Sequence, residues 1–340
     1  MSFFTRVAVV LLALFSLVDP TIAQSRRALR NPRPPPAAPE ESQIRDRLNA
    51  GTIGLAGGLL EGAPIRFATE IARVVNEGGD MQVLPIVTRG PTENVNDLLY
   101  LKGVDTAIIN SDALEEYKSQ VPQIQQRIAY IFSLFPSELH IFVRPEIKTL
   151  ADLAGKKVNF NTQGTAAAYS GPLIFSRLGI DVDKLFIPHP VALEQMRRGD
   201  ISAVVFITSK PVDAFVKGKW EEGFKFLPVA FGPKFQDYYI SSYLDAADYP
   251  NLIAKDQRIA TIAVPTILAS YKWRPDSPRY RRVARFVELL FGRIDKLRSA
   301  GFDPKWKDVN LRTQAPGLER VQAAQEWLDR SAPKNQSARP

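Results

Sequence analysis

The sequence predicts an α/β protein in two lobes, each a mostly parallel sheet flanked by helices, with hinge strands between them. Three observations lead there. Strand-like and helix-like stretches alternate as β-α-β-α-β, that order runs twice, and extended segments join the two runs. The length of 340 residues suits two cores, and 45% hydrophobic with 24% charged side chains is a globular composition.

The elements follow in chain order. Residues 1–23 read as an export signal: Arg6 precedes an apolar run from Val7 to Val18, Asp19-Pro20 breaks it, and Ala23 places a small residue before Gln24. Such a run spans about 18 Å as a helix, short of the roughly 30 Å core of a bilayer. No cysteine follows, so the chain is not a lipoprotein. Residues 24–47 read as an Arg/Pro-rich tether, stiffened by Pro34-Pro35-Pro36. Lobe 1 is then assigned to residues 48–140 and 260–330, lobe 2 to residues 141–259, and a flexible tail to residues 331–340.

Within lobe 1, strands at Gly51–Ala56, Met81–Val87 and Val104–Asn110 alternate with helices at Pro64–Asn76 and Glu93–Leu101. Extended segments at Ile128–Phe135 and Glu138–Arg144 lead into lobe 2. There, strands at Lys156–Asn161, Leu185–Pro188 and Ile201–Thr208 alternate with helices at Thr165–Leu178 and Val191–Arg198. A strand at Ala260–Leu268 and a helix at Ser277–Ala300 return the chain to lobe 1.

Composition excludes much chemistry. With no cysteine there is no disulfide, thiolate nucleophile or Cys-ligated metal, and two distant histidines, His140 and His189, argue against a His-based metal site or triad. No G-x-S-x-G, H-E-x-x-H or P-loop spacing occurs, so no catalytic residue is assigned, no cofactor is expected, and the protein reads as a non-enzyme. The net charge of +8 owes much to six arginines against three acids in residues 24–47. The remaining charge is mixed and not interleaved with aromatics, which argues against nucleic acid as a partner.

In parallel sheets, ligands bind beyond the carboxyl ends of the strands, where loops enter helices. Five loops occupy such ends: Gly57–Ala63, Thr88–Thr92, Asn110–Asp112, Thr162–Thr165 and Thr208–Pro211. All are rich in glycine or hydroxyl side chains, and the helix N-termini behind them favour an anion. Their ligand-binding candidates are Gly57, Gly58, Glu61, Arg89, Thr92, Asn110, Ser111, Thr162, Thr165, Ser209 and Lys210. Arg89 suits a carboxylate through paired hydrogen bonds, whereas Lys210 offers a point charge.

The segments Gly54-Leu55-Ala56-Gly57-Gly58, Thr88 to Asn94, Val104 to Asp112, Leu150 to Val158, Gly164-Thr165 and Val264 to Leu268, in that order, resemble the TAXI family. These are the solute-binding subunits of TRAP (tripartite ATP-independent periplasmic) transporters. The resemblance implies a type II-like periplasmic-binding-protein fold, a periplasmic location and a monomer that closes on a small organic anion, such as glutamate or another carboxylate. It also implies membrane permease subunits as partners. The chain departs from the family at Arg89, Pro91, Leu60, Glu61, Ser209 and Lys210, so ligand identity does not carry over. Two other outputs suit the same scaffold: a sensor partner presenting its ligand to a membrane receptor, and a secreted enzyme drawing on Asp112, Glu61 and His189.

Overall fold

A computed structural model describes residues 39–332 apart from Glu61 and Asp80, and leaves the Pro39 and Glu116 side chains undescribed. The export signal, most of the tether, Glu61 and nearly all of the tail therefore lie outside the described residues. The chain divides into two units, Met1–Asp46 and Arg47–Pro340. Where the tether was expected to continue to residue 47, a helix begins instead. Helix α1 (Pro39–Ala50) carries Glu40 and Glu41 in its first turn and Arg47 in its last, charges that complement the helix dipole.

The second unit opens on β1 (Thr52–Ala56), α2 (Ala63–Asn76), β2 (Gln82–Ile86), α3 (Pro91–Tyr100) and β3 (Thr106–Asn110), with β1 parallel to both β2 and β3. A 3-10 segment at Ser111–Tyr117 leads towards β4 (Ile128–Val143). The second run is β5 (Lys157–Asn159), α4 (Ala166–Leu178), β6 (Asp183–Leu185), α5 (His189–Arg198) and β7 (Ala203–Thr208), with β5 parallel to β6 and β7. After it come α6 (Asp213–Val216), β8 (Lys225–Phe226), β9 (Ile240–Asp245), β10 (Arg258–Tyr271), α7 (Pro278–Gly292), α8 (Ile294–Leu297) and α9 (Gln322–Arg330). The helix expected over 277–300 is thus broken at Arg293. Its start is set by Ser277, whose hydroxyl accepts the Tyr280 N–H at 3.1 Å.

The strands form one path, β2-β1-β3-β10-β4-β7-β5-β6, with β8 on β4 and β9 on β10. The two lobes share this path because β4 and β10 run through both. The end of β10 pairs antiparallel with β3, and its beginning with β9. The end of β4 pairs antiparallel with β7. At the handover, Pro136 stands opposite Pro265. Neither has an N–H, so the ladder is thinnest at that row.

Side-chain alternation explains the layers. On β7, Ala203, Val205 and Ile207 enter one hydrophobic cluster, while Val204 and Phe206 enter the cluster on the opposite face. On β3, Ile108 faces one cluster of lobe 1, and Ala107 and Ile109 face the other. Trp306, fully buried, packs 4.6 Å from Phe67 and donates its indole N–H to Glu70 Oε2 at 2.5 Å. That contact pins the C-terminal stretch onto α2.

Candidate functional site

A cavity of about 300 Å³ lies between the lobes. Its lobe 1 wall comes from the loop after β1, the loop after β2 and the end of β3. Its lobe 2 wall comes from the loop after β5, the start of α5 and the end of β7. Four helices present their first residues to it: Ala63 and Pro64 of α2, Pro91 of α3, Ala166 and Ala167 of α4, and His189 of α5. The first N–H groups of a helix have no partner within it, except that Pro64, Pro91 and Pro190 supply none, and the aligned peptide dipoles add positive potential there. The rest of the wall is largely apolar, including Ile108, Phe135 and Phe206.

Buried hydrogen bonds hold the loops in place. Asn94, fully buried on α3, donates to the carbonyls of Gly57 and Ile108, each at 2.7 Å, and accepts the Thr88 hydroxyl at 2.6 Å. One side chain thereby ties the ends of β1 and β2 to the middle of β3. Gly57 is required because a methyl group there would collide with Ile65 on α2. At the cavity floor, the hydroxyls of Ser137 and Thr266 lie 2.8 Å apart, and the Asn110 amide reaches Thr266 at 3.4 Å.

The lobes touch over the cavity. Gly90, with φ of 135°, approaches Gly164 so closely that a methyl group would overlap the Gly164 carbonyl. A methyl group on Gly164, with φ of 89°, would press on the Cβ and carbonyl of Arg89. Only glycine allows both these conformations and the backbone approach.

The structure separates the sequence candidates. Gly57, Gly58, Arg89, Asn110 and Thr165 line the cavity. Thr165 also caps α4, accepting the Ala168 N–H at 3.3 Å. Arg89 sits at the rim with its side chain 77% exposed, and its Nε pairs with Glu93 Oε2 at 3.3 Å. Its guanidinium, suited to a ligand carboxylate, here meets the neighbouring carboxylate of Glu93. Thr92 lines an adjoining polar recess with Arg89 and Tyr117, and its carbonyl accepts the Tyr117 hydroxyl at 2.8 Å. Thr162 is absent from the cavity lining and gives its carbonyl to the Thr165 hydroxyl at 2.8 Å. Ser111 bridges the lobes, donating to the Tyr238 carbonyl at 3.0 Å. Ser209 is buried and Lys210 lies elsewhere; neither is in the lining. Lys210 Nζ is 2.8 Å from both Asp248 Oδ2 and the Tyr243 carbonyl, so an ion pair and a carbonyl draw it from the cavity.

Sequence reasoning missed His189 as part of the wall, naming it only as a group available to the enzyme alternative. The ring stacks on Phe206 with centroids 3.5 Å apart, and Nε2 lies 2.9 Å from the Val205 carbonyl. A carbonyl only accepts, so Nε2 carries the proton, and burial lowers the pKa to about 4. The ring is therefore neutral, with its Nδ1 an acceptor. Its place directly after a strand end was the available signal. Asn161, Ser137 and Thr266 also line the cavity without having been singled out.

Among the described residues there is no cluster of metal-ligating side chains and no helix long and apolar enough to cross a membrane. Solved structures that the fold resembles include XAC2383 from Xanthomonas citri bound to ATP, 12% identical over 83% of this chain and 99% of that one, with a TM-score of 0.50. A mutant of ArgBP from T. maritima is 18% identical over 78% and 95% of the two chains, with a TM-score of 0.42. The alkanesulfonate-binding protein SsuA from Xanthomonas axonopodis pv. citri, bound to MOPS, is 12% identical over 76% and 82%, with a TM-score of 0.41. Similarity at these identities is one of fold. The sequence itself matches the model of the NMT1-like family across residues 65–314. With that match covering most of the body, the chain belongs to the NMT1-like family.

Proposed function

We propose that this protein is a periplasmic receptor that closes its lobes on a small organic anion and delivers it to a TRAP-type permease, as the TAXI-like segments suggest. It does so without catalysing a reaction. The observation that carries the anion reading is the convergence of four helix N-termini on one interlobe cavity. Backbone N–H groups, rather than a buried cation, neutralise the ligand. Arg89 contributes from the rim, where Glu93 competes for it. The apolar wall around Phe135 and Phe206 takes the ligand's carbon skeleton. Contacts made by both lobes exist only in the closed form, so binding shifts the balance towards closure.

A thermal-shift panel of carboxylates, sulfonates, neutral sugars and divalent cations tests this reading. A matching organic acid at a hundred times its Kd adds about 2.7 kcal/mol of stability and raises the melting temperature. Mass spectrometry of small molecules released from the purified protein then identifies the native compound. Stabilisation by a sugar or a metal, with every organic acid inert, overturns the anion reading.

A further inference from the structure

The lobes also meet along a seam formed by residues that are not part of the cavity lining. Lobe 1 contributes the 3-10 segment that follows β3, and lobe 2 contributes α4 and the residues just before β9. Ser111 donates to the Tyr238 carbonyl, Gln125 Nε2 lies 3.3 Å from the Tyr238 hydroxyl, and the Tyr239 hydroxyl donates to Asp112 Oδ2 at 3.1 Å. Asp112 is fully buried in this seam, and its second oxygen, Oδ1, has no hydrogen-bond donor.

Asp112 has no dedicated cation either. The charged group that faces it from α4 is Arg177, which is engaged by both oxygens of Asp237 at 2.6 and 2.9 Å. Tyr169 and Ser170 face the seam from the same helix, and Tyr238 and Tyr239 from the segment before β9. On its own segment, Glu115 pairs with Lys118 at 2.5 Å. A buried carboxylate short of donors and without its own counter-ion favours the protonated form.

We infer that Asp112 is a proton-binding site that couples closure of the two lobes, and with it retention of the solute, to ambient pH. This rests on the closing-receptor reading above. In the closed form burial raises the Asp112 pKa to about 6. In an open form, parted from Tyr239 and α4, the carboxyl is hydrated and returns to the ordinary aspartate value near 3.9. Closing therefore takes up a proton from solvent between about pH 4 and pH 6. The raised value belongs to the closed form, so acid favours closure and neutrality favours opening. From pH 7 to pH 5 the closed-to-open ratio rises about tenfold from this one group.

The absence of native cysteine makes the test clean. Tyr100→Cys on lobe 1 and Lys217→Cys on lobe 2, both exposed, accept a donor and an acceptor dye. Single-molecule energy transfer on the full chain, without added solute, then reads the open and closed populations from pH 5 to pH 8. His189 bonds within its own lobe and is common to every protein compared, so the difference between wild type and Asp112→Asn reads Asp112. The expected result is a change in the ratio between pH 7 and pH 5 about tenfold larger in wild type. Tyr239→Phe, which removes the phenol that donates to Oδ2, moves the wild-type transition to higher pH. Equal pH profiles for wild type and Asp112→Asn overturn the inference alone. One unchanging population at every pH in every protein, both without solute and with the organic acid found in the thermal-shift panel, overturns it together with the closing-receptor reading.

Discussion

At the residue scale, two buried side chains carry more than their size suggests. Asn94→Ala removes three hydrogen bonds and strands two carbonyls and a hydroxyl in the core. The cost is about 2–4 kcal/mol, which calorimetry will read as a melting temperature lower by roughly 3–6 °C. His140 lies fully buried among Phe215, Phe226 and Tyr249. Its Nδ1 donates to the Glu138 carbonyl at 2.9 Å, so Nε2 accepts the Tyr249 hydroxyl at 2.7 Å, and burial lowers the pKa to about 3. The unfolded chain protonates this ring near pH 6.5 and the folded chain does not. Stability is therefore lost as pH falls from about 6.5 towards 3, by about 3 kcal/mol at pH 4 from His140 alone. Asp112, with its raised value, works in the opposite direction below pH 6 and offsets part of the loss. Denaturant titrations at pH 7 and pH 4.5 are expected to show that loss in wild type, with His140→Gln losing measurably less between the two pH values.

At the scale of elements, the loops decide what the cavity does. Gly90→Val places a β-branched side chain at φ of 135° and into the Gly164 carbonyl. Small-angle scattering is expected to show a larger radius of gyration for that variant, and titration calorimetry at least tenfold weaker binding of the organic acid found in the thermal-shift panel. Arg89→Ala is expected to weaken that binding severalfold, and Glu93→Gln, which frees the guanidinium, to strengthen it. Lys210→Ala leaves affinity within twofold, because Asp248 and Tyr243 hold that amine away from the cavity. The positions of the loops were legible in the sequence because alternation and capping are local. Thr165 could be read as the start of α4 from its neighbours alone. The direction of Lys210 could not, since Asp248 is brought in by the fold, whereas Arg89 meets Glu93, a partner four residues on that the sequence already offered. His189 was hidden by its flanking prolines, which look like a turn but start a helix whose first residue meets Phe206.

At the scale of the whole molecule, two long strands determine the architecture. The sequence read β4 as two extended pieces and β10 as a shorter strand, because periodicity shows which residues are extended but not which strands they join. In the structure each strand serves a core in both lobes, and four hydrophobic clusters are shared between them. Lobe motion and global stability are therefore separable quantities. Trp306→Ala, which changes no residue of the cavity lining, is expected to lower the free energy of unfolding by about 3–5 kcal/mol in denaturant titration. The same variant keeps its affinity for the panel's organic acid wherever it remains folded.

The facing prolines at positions 136 and 265 give this architecture an inexpensive joint. A row with no amide hydrogens has little pairing to surrender when the strands flex, so bending there leaves the flanking ladders intact. In the closing motion proposed above, resistance then comes from the glycine rim and the carboxyl seam, and the sheet itself serves as a passive axle.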